Sequence, residues 1–286
     1  MSIEVKNISH IYSEGLPHES VALYDISFDI QDGEFVGIIG HTGSGKSTLL
    51  QHLNGLLKPK AGQIVVGGVD ITAGKVSMID VRRRTGLVFQ YPEYQLFEET
   101  VAKDVAFGPT NLGLSPVEIE KRVEEALILV GLDYEEFKDK SPFDLSGGEK
   151  RKVAIAGVIA MKPEVLILDE PTAGLDPKAH RDILNMIENI HDHEKNITIL
   201  VTHKMDDVAR LADKVMVMES GRLVMIGTPA EIFSRKDELQ AMGLSIPEAT
   251  ELISDLRDCG MNLADNVLTL EQAEETLVHY LKPNQQ

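Results

Sequence analysis

The sequence predicts an α/β fold built around a parallel β-sheet. Three short runs are apolar apart from Thr198, which is typical of strands covered on both faces. Amphipathic stretches with a helical period lie between such runs, as in proteins that alternate strands with helices. The three runs are Phe35–Ile39, Val165–Leu168 and Ile197–Val201.

The first part of the chain adds strands of a different kind. Ile3–Tyr12 and Leu23–Ile30 alternate apolar and polar residues, so we expect half-buried strands joined by a polar loop at Ser13–Ser20. Two further short segments, Gln63–Val66 and Gly86–Phe89, also have strand character. The sequence therefore predicts β-structure beyond the three buried strands.

Helical periods occur in the middle and the second half of the chain. Val117–Val130 has helical spacing, with Ser115 as the expected N-cap and Pro116 at the first helical position. Glu118 would complete a capping box with Ser115. Lys178–His191 lies between two of the buried runs and is expected to be a crossover helix.

The last part of the chain changes in character after Arg235. The segments Val215–Met218 and Leu223–Ile226 flank a turn and predict a hairpin that closes residues 1–235. Residues 236–286 carry three basic and ten acidic side chains. We expect them to form a small helical appendage with a role in dimerisation or regulation. Apolar residues recur there with a helical period at Ala249, Ile253, Leu256, Leu270, Ala273 and Leu277.

The charge of the chain argues against some partners. Among 286 residues, 28 are Lys or Arg and 46 are Asp or Glu, which gives a net charge of −18. Nucleic-acid backbones and anionic lipid surfaces attract basic proteins, so we expect neither as a direct partner. The single cysteine, Cys259, cannot form an internal disulfide, which favours a reducing compartment.

Direct insertion into a membrane is also not expected. No apolar run approaches the ~18 residues of a membrane span. The first ten residues lack the basic and apolar regions of a signal peptide. Ser2 stands where a myristoylation signal has glycine, and residues 282–286 carry no prenylation signal. If this protein works at a membrane, another protein must hold it there.

A complete phosphate-binding motif follows the strand Phe35–Ile39. Its glycines allow backbone N–H groups to point at a phosphate chain, and the helix that follows adds positive potential. We predict that its lysine reaches the β- and γ-phosphates of ATP and that the next serine ligates Mg²⁺. A glycine-rich surface turn is the alternative, and the position between a strand and a helical stretch argues against it. The predicted nucleotide-binding residues are Gly40, His41, Thr42, Gly43, Ser44, Gly45, Lys46, Ser47 and Thr48.

Two carboxylates follow the buried run Val165–Leu168. Asp169 is expected to hold Mg²⁺, directly or through water, and Glu170 to polarise the water that attacks the phosphate. Because Pro171 and Thr172 follow, the pair could instead be an ordinary helix cap. A complete phosphate-binding loop in the same chain favours the catalytic interpretation.

A second glycine-rich element precedes these carboxylates. Leu145–Glu149 has the sequence LSGGE and opens the helical stretch Lys150–Ala160, which provides another helix N-terminus able to bind an anion. This segment resembles the signature motif of ABC-transporter ATPases, usually LSGGQ. The change to glutamate at 149 weakens the local positive potential.

The resemblance to ABC-transporter ATPases covers residues 1–235. It implies a P-loop NTPase of the ABC nucleotide-binding type, with a RecA-like core, an antiparallel β subdomain and a helical subdomain at about 95–160. It also implies a head-to-tail dimer in which each signature motif contacts the ATP of the other subunit. The signature residues expected there are Ser146, Gly147 and Gly148.

Four further residues match family elements in the expected order. The resemblance implies that Gln90 contacts Mg²⁺ and the attacking water, and that His203 contacts the γ-phosphate. It places Asp176 at the dimer interface and Tyr12 against the adenine. Taken alone, His203 could be a capped loop histidine and Tyr12 an ordinary strand residue. Their order and spacing around three strong motifs support the family assignment.

Residues 91–109 narrow the resemblance further. Their sequence, YPEYQLFEETVAKDVAFGP, is similar to that of energy-coupling factor (ECF) transporter ATPases, the EcfA and CbiO proteins of cobalt and vitamin importers. It is closer to the second ATPase of a heterodimeric pair than to the first. Leu96, Phe97 and Val101 are either core residues or a groove for a coupling helix of a membrane partner. We expect Leu96 and Phe97 to be exposed if they form that groove.

We therefore predict an ATPase that energises the import of vitamins or transition-metal ions. The implied partners are a second ABC ATPase, in a homodimer or heterodimer, a transmembrane coupling subunit and a separate substrate-binding membrane subunit. The implied location is the cytoplasmic face of the cell membrane, as a peripheral protein. Two alternatives are a soluble ABC ATPase acting on DNA or ribosomes and a P-loop kinase. The first usually carries coiled coils, tandem cassettes or basic surfaces, and the second has no use for LSGGE or His203.

Overall fold

Strands and helices alternate along the chain in the computed structural model, which describes residues 2–74 and 76–281. The strands are β1 (Ile3–Tyr12), β2 (Ser20–Ile30), β3 (Phe35–Ile39), β4 (Ala61–Val66), β5 (Val69–Asp70), β6 (Thr85–Val88), β7 (Val165–Asp169), β8 (Ile197–Val201), β9 (Lys214–Glu219) and β10 (Arg222–Gly227). The longer helices are α1 (Lys46–Leu53), α2 (Met78–Arg84), α3 (Val101–Asn111), α4 (Pro116–Leu129), α5 (Tyr134–Phe137), α6 (Gly147–Ile159), α7 (Pro177–Glu194), α8 (Met205–Leu211), α9 (Pro229–Phe233), α10 (Lys236–Ala241), α11 (Glu248–Asp258) and α12 (Leu270–Leu281). Residues Pro92–Gln95 and Pro142–Asp144 form 3₁₀ turns.

The larger sheet explains why distant parts of the sequence meet. Its strand order is β10-β9-β3-β8-β7-β6, and the strands from β9 to β6 are parallel. Parallel strands end at the same edge of a sheet, where ligands of α/β proteins usually bind. The segments that follow β3, β6, β7 and β8 are therefore brought to one edge. The hairpin β9–β10 completes the sheet as predicted.

The smaller sheet is antiparallel and has the order β2-β1-β4-β5. Its strands include the predicted segments at Ile3–Tyr12 and Gln63–Val66, and β2 begins three residues before the predicted Leu23. One apolar face of this sheet packs on the larger sheet and on α1. The phosphate-binding helix is thus held between the two sheets.

The continuously apolar strands are covered on both faces, as predicted. In β7, Val165 and Ile167 pack in the cluster shared with the smaller sheet. The alternate residues Leu166 and Leu168 pack against the helices on the other face. Both faces of a parallel strand lie in the core, so no polar residue interrupts the run before Asp169.

Helices α3, α4 and α6 form a helical layer beside this sheet. Ser115 caps α4 by accepting a hydrogen bond from the Glu118 N–H, as predicted. The predicted capping box is wrong in its second half, because the Glu118 carboxylate instead accepts a hydrogen bond from Arg122 Nε at 2.7 Å. A cation one turn along the helix competes successfully for the carboxylate.

The C-terminal residues form two apolar clusters. Leu239, Leu244 and Ile246 pack with residues of β3, β9 and α8. A separate cluster lies between α11 and α12 and includes Ala249, Ile253 and Ala273. The helices predicted after residue 235 are confirmed, but Leu270, which we expected on their apolar face, is 61% exposed. Residues 282–286, from which we inferred the lack of a prenylation signal, lie outside the described residues. In the described part of the chain, no helix combines the length and the apolar character needed to cross a membrane.

Candidate functional site

The phosphate-binding loop joins β3 to α1, and close packing explains its glycines. A Cβ on Gly40 would lie 2.3 Å from the carbonyl oxygen of Met218, and a Cβ on Gly45 would lie 2.5 Å from that of Ala22. Gly45 also has a φ of 102°, a left-handed conformation that glycine adopts at little cost. The tight course of the loop therefore excludes side chains at both positions.

The interior of this loop suits an anion. Lys46 is buried, and its ammonium donates hydrogen bonds to the carbonyl oxygens of Gly40 at 2.6 Å and His41 at 3.0 Å. Burial lowers the pKa of Lys46, and the carboxylates of Glu170 and Asp169 act in the opposite direction. The Ser44 hydroxyl is buried and has no hydrogen-bond partner among the described residues. A buried cation and an unsatisfied hydroxyl would both be stabilised by phosphate oxygens.

Asp169 lies beside the first turn of α1. Its carboxylate is buried at the end of β7 and forms a hydrogen bond with the Ser47 side chain. Burial raises the pKa of Asp169, and the Ser47 hydrogen bond and the Lys46 charge offset part of this rise. A hydroxyl and a carboxylate in contact are oxygen ligands of the kind that Mg²⁺ prefers.

These oxygens are too few to bind a metal by themselves. Within residues 2–74 and 76–281, no group of three or more His, Cys, Asp and Glu side chains could hold a metal ion. Protein sites for Mg²⁺ often have one or two carboxylates and take the other ligands from phosphate and water. The donor set therefore fits a cation that arrives with a phosphate chain.

Glu170 is held by side chains from the two strands on either side of β7. Gln90 follows β6 and donates from Nε2 to Glu170 Oε2 at 3.0 Å. His203 follows β8, and its Nε2 lies 2.6 Å from Glu170 Oε1. The backbone of Glu170 has a φ of 49°, and its N–H donates to the Val201 carbonyl at 2.9 Å. The structure thus brings Gln90, Glu170 and His203 together at the edge that carries the phosphate-binding loop.

The signature residues lie on a different helix. Ser146 is exposed and caps α6, which begins at Gly147 rather than at the predicted Lys150. The Glu149 carboxylate accepts hydrogen bonds from the Ser146 hydroxyl at 2.6 Å and from the Ser146 N–H at 2.8 Å. These bonds lower the pKa of Glu149. A Cβ on Gly147 or Gly148 would meet nothing within 4 Å, so the start of α6 faces open space.

The remaining predicted residues also have local partners. Asp176 caps α7 and accepts hydrogen bonds from the N–H groups of Lys178 and Ala179. Tyr12 ends β1 with 40% of its surface exposed, and its hydroxyl lies 3.3 Å from the Thr48 hydroxyl. Tyr12 therefore lies beside the first turns of the phosphate-binding helix.

Leu96 follows the core alternative, whereas Phe97 is exposed as the groove alternative requires. Leu96 is 8% exposed and belongs to the core cluster that contains α3, α4 and α6. Phe97 is 56% exposed and makes an edge-to-face contact with Phe107, with ring centroids 4.9 Å apart. Both phenylalanines line a groove of about 770 Å³ that also includes Leu56 and Ile79. The chain passes from the core to the surface between two adjacent residues.

The sequence reasoning missed one buried charge near the site. Arg151 on α6 is 1% exposed and binds Glu93 and the loop after Glu170. It lies in a run of basic residues, Lys150 to Lys152, which is usually solvent-exposed. The buried residues Ile155 and Ile159 of α6 are four positions apart. Arg151 lies four residues before Ile155 and therefore on the same buried face of the helix. This helical spacing is the sequence signal that could have indicated a buried arginine.

The fold and this edge of the sheet define an ATP-binding protein of the ABC class. Strand β3 leads into a phosphate-binding loop, β7 ends in two carboxylates, and a serine–glycine–glycine segment opens α6. Comparison with known proteins agrees, since the family model described as ABC transporter matches residues 23–173.

Full-length relatives identify the particular family. The chain is 60% identical over 282 residues to the energy-coupling factor transporter ATP-binding protein EcfA2 of Caldanaerobacter subterraneus subsp. tengcongensis, which covers 99% of this chain and 98% of the relative. The cbiO1 structure from Clostridium perfringens, described as part of the ABC transporter complex cbiONQ, has a TM-score of 0.74 and 40% identity and covers 88% of this chain and 98% of that one. A dimeric ATP-binding cassette in a post-hydrolysis state, bound to ADP and Pi, has a TM-score of 0.69 and 27% identity, with coverage of 79% and 98%. The chain belongs to the ABC transporter family and, within it, to the ATP-binding proteins of energy-coupling factor transporters.

Proposed function

We propose that this protein hydrolyses ATP with Glu170 as the general base and that hydrolysis drives import through membrane partners. The observation that carries this proposal is the position of Glu170 between Gln90 and His203, next to the phosphate-binding loop. A general base must lie within reach of the proton it accepts and must be oriented towards it. Side chains from two neighbouring strands provide that orientation.

The loop residues are assigned to the triphosphate. Backbone N–H groups of residues 40–48 and the Lys46 ammonium would bind the phosphate oxygens. Ser47, Asp169 and Gln90 would hold Mg²⁺, which when bound neutralises charge on the phosphates. Burial of Lys46 and Asp169 strengthens these electrostatic interactions, because the local dielectric constant is low.

Glu170 and its two neighbours are assigned to the attacking water. The Glu170 carboxylate would accept the proton of that water. The amide of Gln90 would orient the water and the carboxylate. His203 would contact the γ-phosphate while its ring keeps the carboxylate in position. The contacts of Gln90 and His203 with Glu170 would then exchange for contacts with water and phosphate as the site fills.

Other residues are assigned to the adenine and to a second subunit. The exposed ring of Tyr12, beside α1, would stack on the adenine. Ser146, Gly147 and Gly148 begin a helix that faces open space, and they would bind the nucleotide of a second ABC ATPase in a homodimer or a heterodimer. Asp176 would lie at the same interface. Known dimeric cassettes with this fold support that arrangement.

The transport role follows from the family and from the groove that Phe89 and Phe97 line. Its exposed aromatic residues, Phe97 and Phe107, would accept a coupling helix of a transmembrane subunit. A separate membrane subunit would select the vitamin or transition-metal ion. We place the protein on the cytoplasmic face of the cell membrane, attached through these partners. The helical residues after 235 are assigned to dimerisation or regulation.

Product analysis with the full chain and its membrane partners tests this function. We expect ADP and inorganic phosphate from ATP, and a Lys46→Ala variant that has lost phosphate binding. A phosphorylated acceptor in place of free phosphate would favour a kinase. Purification from solubilised membranes without any membrane subunit, together with full activity in the soluble fraction, would favour an ABC ATPase that is not tied to transport.

A further inference from the structure

We propose that Arg151 is a positioning residue that sets the orientation of Glu170 relative to helix α6. The inference rests on the proposed role of Glu170 as the general base. It assigns to a single buried guanidinium the connection between three segments: the start of α6, the 3₁₀ turn after Gln90 and the loop after Glu170.

The first connection is a pair of hydrogen bonds to one carboxylate. Arg151 Nε donates to Glu93 Oε2 at 3.0 Å, and Nη2 donates to Glu93 Oε1 at 2.6 Å. This parallel pair of bonds fixes the plane of the guanidinium as well as its position. Glu93 lies in the 3₁₀ turn Pro92–Gln95, three residues after Gln90. The pair therefore connects α6 to the segment that carries the amide bound to Glu170.

The second connection is a pair of hydrogen bonds to the loop after Glu170 itself. Arg151 Nη1 donates to the carbonyl oxygens of Pro171 at 3.0 Å and Ala173 at 2.7 Å. The Ala173 N–H donates in turn to the Glu170 carbonyl at 3.1 Å, which closes a tight turn. The guanidinium thus holds the turn whose first residue is Glu170.

The backbone of Glu170 gives this contact a specific purpose. Its φ of 49° is a left-handed conformation that a residue with a side chain rarely adopts. Such a conformation persists only when surrounding contacts require it, and it is common at functional sites. The two carbonyl bonds from Arg151 are contacts of this kind, because they fix two carbonyls of the turn that begins at Glu170.

The charge of Arg151 makes the arrangement hard to replace. Arginine stays protonated in proteins, and a buried cation must be paired. Arg151 is 1% exposed and Glu93 supplies the paired carboxylate. A lysine would preserve the charge but could not form the bidentate pair and both carbonyl bonds from one planar group. We therefore expect the function of Arg151 to depend on the planar shape of its guanidinium as well as on its charge.

The position of Arg151 in α6 couples the movement of this helix to the Glu170 turn. Ser146 caps the same helix five residues earlier, and a helix moves as a unit. A shift of α6 would therefore move the guanidinium against both the Gln90 segment and the Glu170 turn. We infer that contact at the exposed start of α6 changes the orientation of Glu170 through Arg151.

A double-mutant cycle with Glu170 tests this role. In the full chain purified with its partner subunits, we expect Arg151→Met to lower kcat for ATP about 10- to 100-fold and to change KM less than about 3-fold. In a Glu170→Gln background the same substitution should lower kcat less than about 3-fold, because the group that it positions is already absent. Arg151→Lys should not restore the rate. Arg181→Met, at an exposed position on α7, is the matched control and should retain wild-type kcat.

Each result has a distinct meaning. If Arg151→Met lowers kcat equally in both backgrounds, or leaves it within about 2-fold of wild type, Arg151 does not act through Glu170 and the inference is wrong. If Glu170→Gln itself keeps wild-type hydrolysis, the proposed base is wrong and the failure lies with the proposed function. Should Arg151→Met fail to fold, Glu93→Gln replaces it in the cycle, since it keeps the shape of the pair and removes its charge. An additive cycle with Glu93→Gln would overturn the inference equally.

Discussion

His203 Nε2 lies 2.6 Å from Oε1 of Glu170, so the two residues that follow adjacent parallel strands are in direct contact. The other carboxylate oxygen of Glu170 accepts a bond from Gln90. Both oxygens are therefore oriented by the sheet rather than by the loop that carries them. This geometry makes Glu170 the first target for mutagenesis.

Replacing Glu170 with glutamine should remove the base and retain the shape of the site. We expect ATP hydrolysis to fall by roughly 10²–10⁴, which is the usual effect of losing a general base, while ATP binding persists. Steady-state phosphate release and equilibrium ATP binding measure the two properties. The exposed Glu124→Gln on α4 is the control and should hydrolyse ATP normally. Hydrolysis by Glu170→Gln within about twofold of wild type would show that another group is the base.

Ser146 is expected to serve the nucleotide of the other subunit. Ser146→Arg should abolish hydrolysis in assembled dimers and leave ATP binding to the isolated chain nearly unchanged, because its own phosphate-binding loop is intact. Titration of a fluorescent ATP analogue onto the monomer measures that binding. If the substitution removes binding by the monomer, the signature motif belongs to the site of its own chain and the two-subunit arrangement is wrong.

Leu96 and Phe97 should respond differently to the same substitution. Leu96→Asp places a charge in the core and should destabilise the helical layer by several kcal/mol. Phe97→Asp removes one exposed aromatic contact and should cost less than about 1.5 kcal/mol. Thermal melting distinguishes these outcomes.

The same pair tests the docking surface. Folded Phe97→Asp should no longer sediment with the membrane partner, although it still binds ATP. Phe143→Asp is a suitable control, because Phe143 is 59% exposed and does not line the groove. A folded Phe97→Asp protein that remains bound to its membrane partner would exclude Phe97 from the docking surface.

A buried histidine pair predicts how stability depends on pH. His52 Nδ1 donates to the Thr48 carbonyl, and His52 Nε2 lies 3.2 Å from His10 Nδ1. Burial lowers the pKa of both imidazoles from 6.5, so below that pH the unfolded chain binds more protons than the folded one. Their contribution to stability is complete above about pH 6.5 and is lost as the pH falls, at a rate of up to ~1.4 kcal/mol per pH unit for each proton.

Denaturant unfolding at pH 7.5 and 5.5 measures this effect. The loss of unfolding free energy at the lower pH should be smaller in the double variant His10→Gln/His52→Gln than in the wild type. His193→Gln, whose side chain is 70% exposed, should keep the wild-type dependence. An unchanged pH dependence in the double variant would assign the acid sensitivity to other groups.

The sequence was sufficient for the family, the α/β class and most strands, because those depend on local patterns. The run Val165–Leu168 is apolar at every position since both faces of β7 are covered, and the phosphate-binding motif is contiguous. The order of strands in a sheet depends on contacts between segments far apart in the sequence. The contact of Glu170 with Gln90 and His203 depends on β7 lying between β6 and β8, which no single segment encodes.

The features that the sequence did not predict correctly each have a specific physical cause. The 3₁₀ turn Pro92–Gln95 interrupts the regular spacing of apolar residues. The sequence pattern therefore does not show that Leu96 is buried and Phe97 exposed. The capping box at Ser115 failed because Arg122 competes for Glu118. The buried Arg151 and the His10–His52 pair both depend on contacts between residues far apart in the chain.

The rigidity of the phosphate-binding loop has a consequence for the thermodynamics of ligand association. Two hydrogen bonds from Lys46 and the close approach of Gly40 and Gly45 to neighbouring carbonyls hold the loop in one shape. The conformational entropy of that segment is therefore lost when the protein folds and not when a nucleotide binds. A preorganised receptor of this kind keeps more of its interaction energy as affinity.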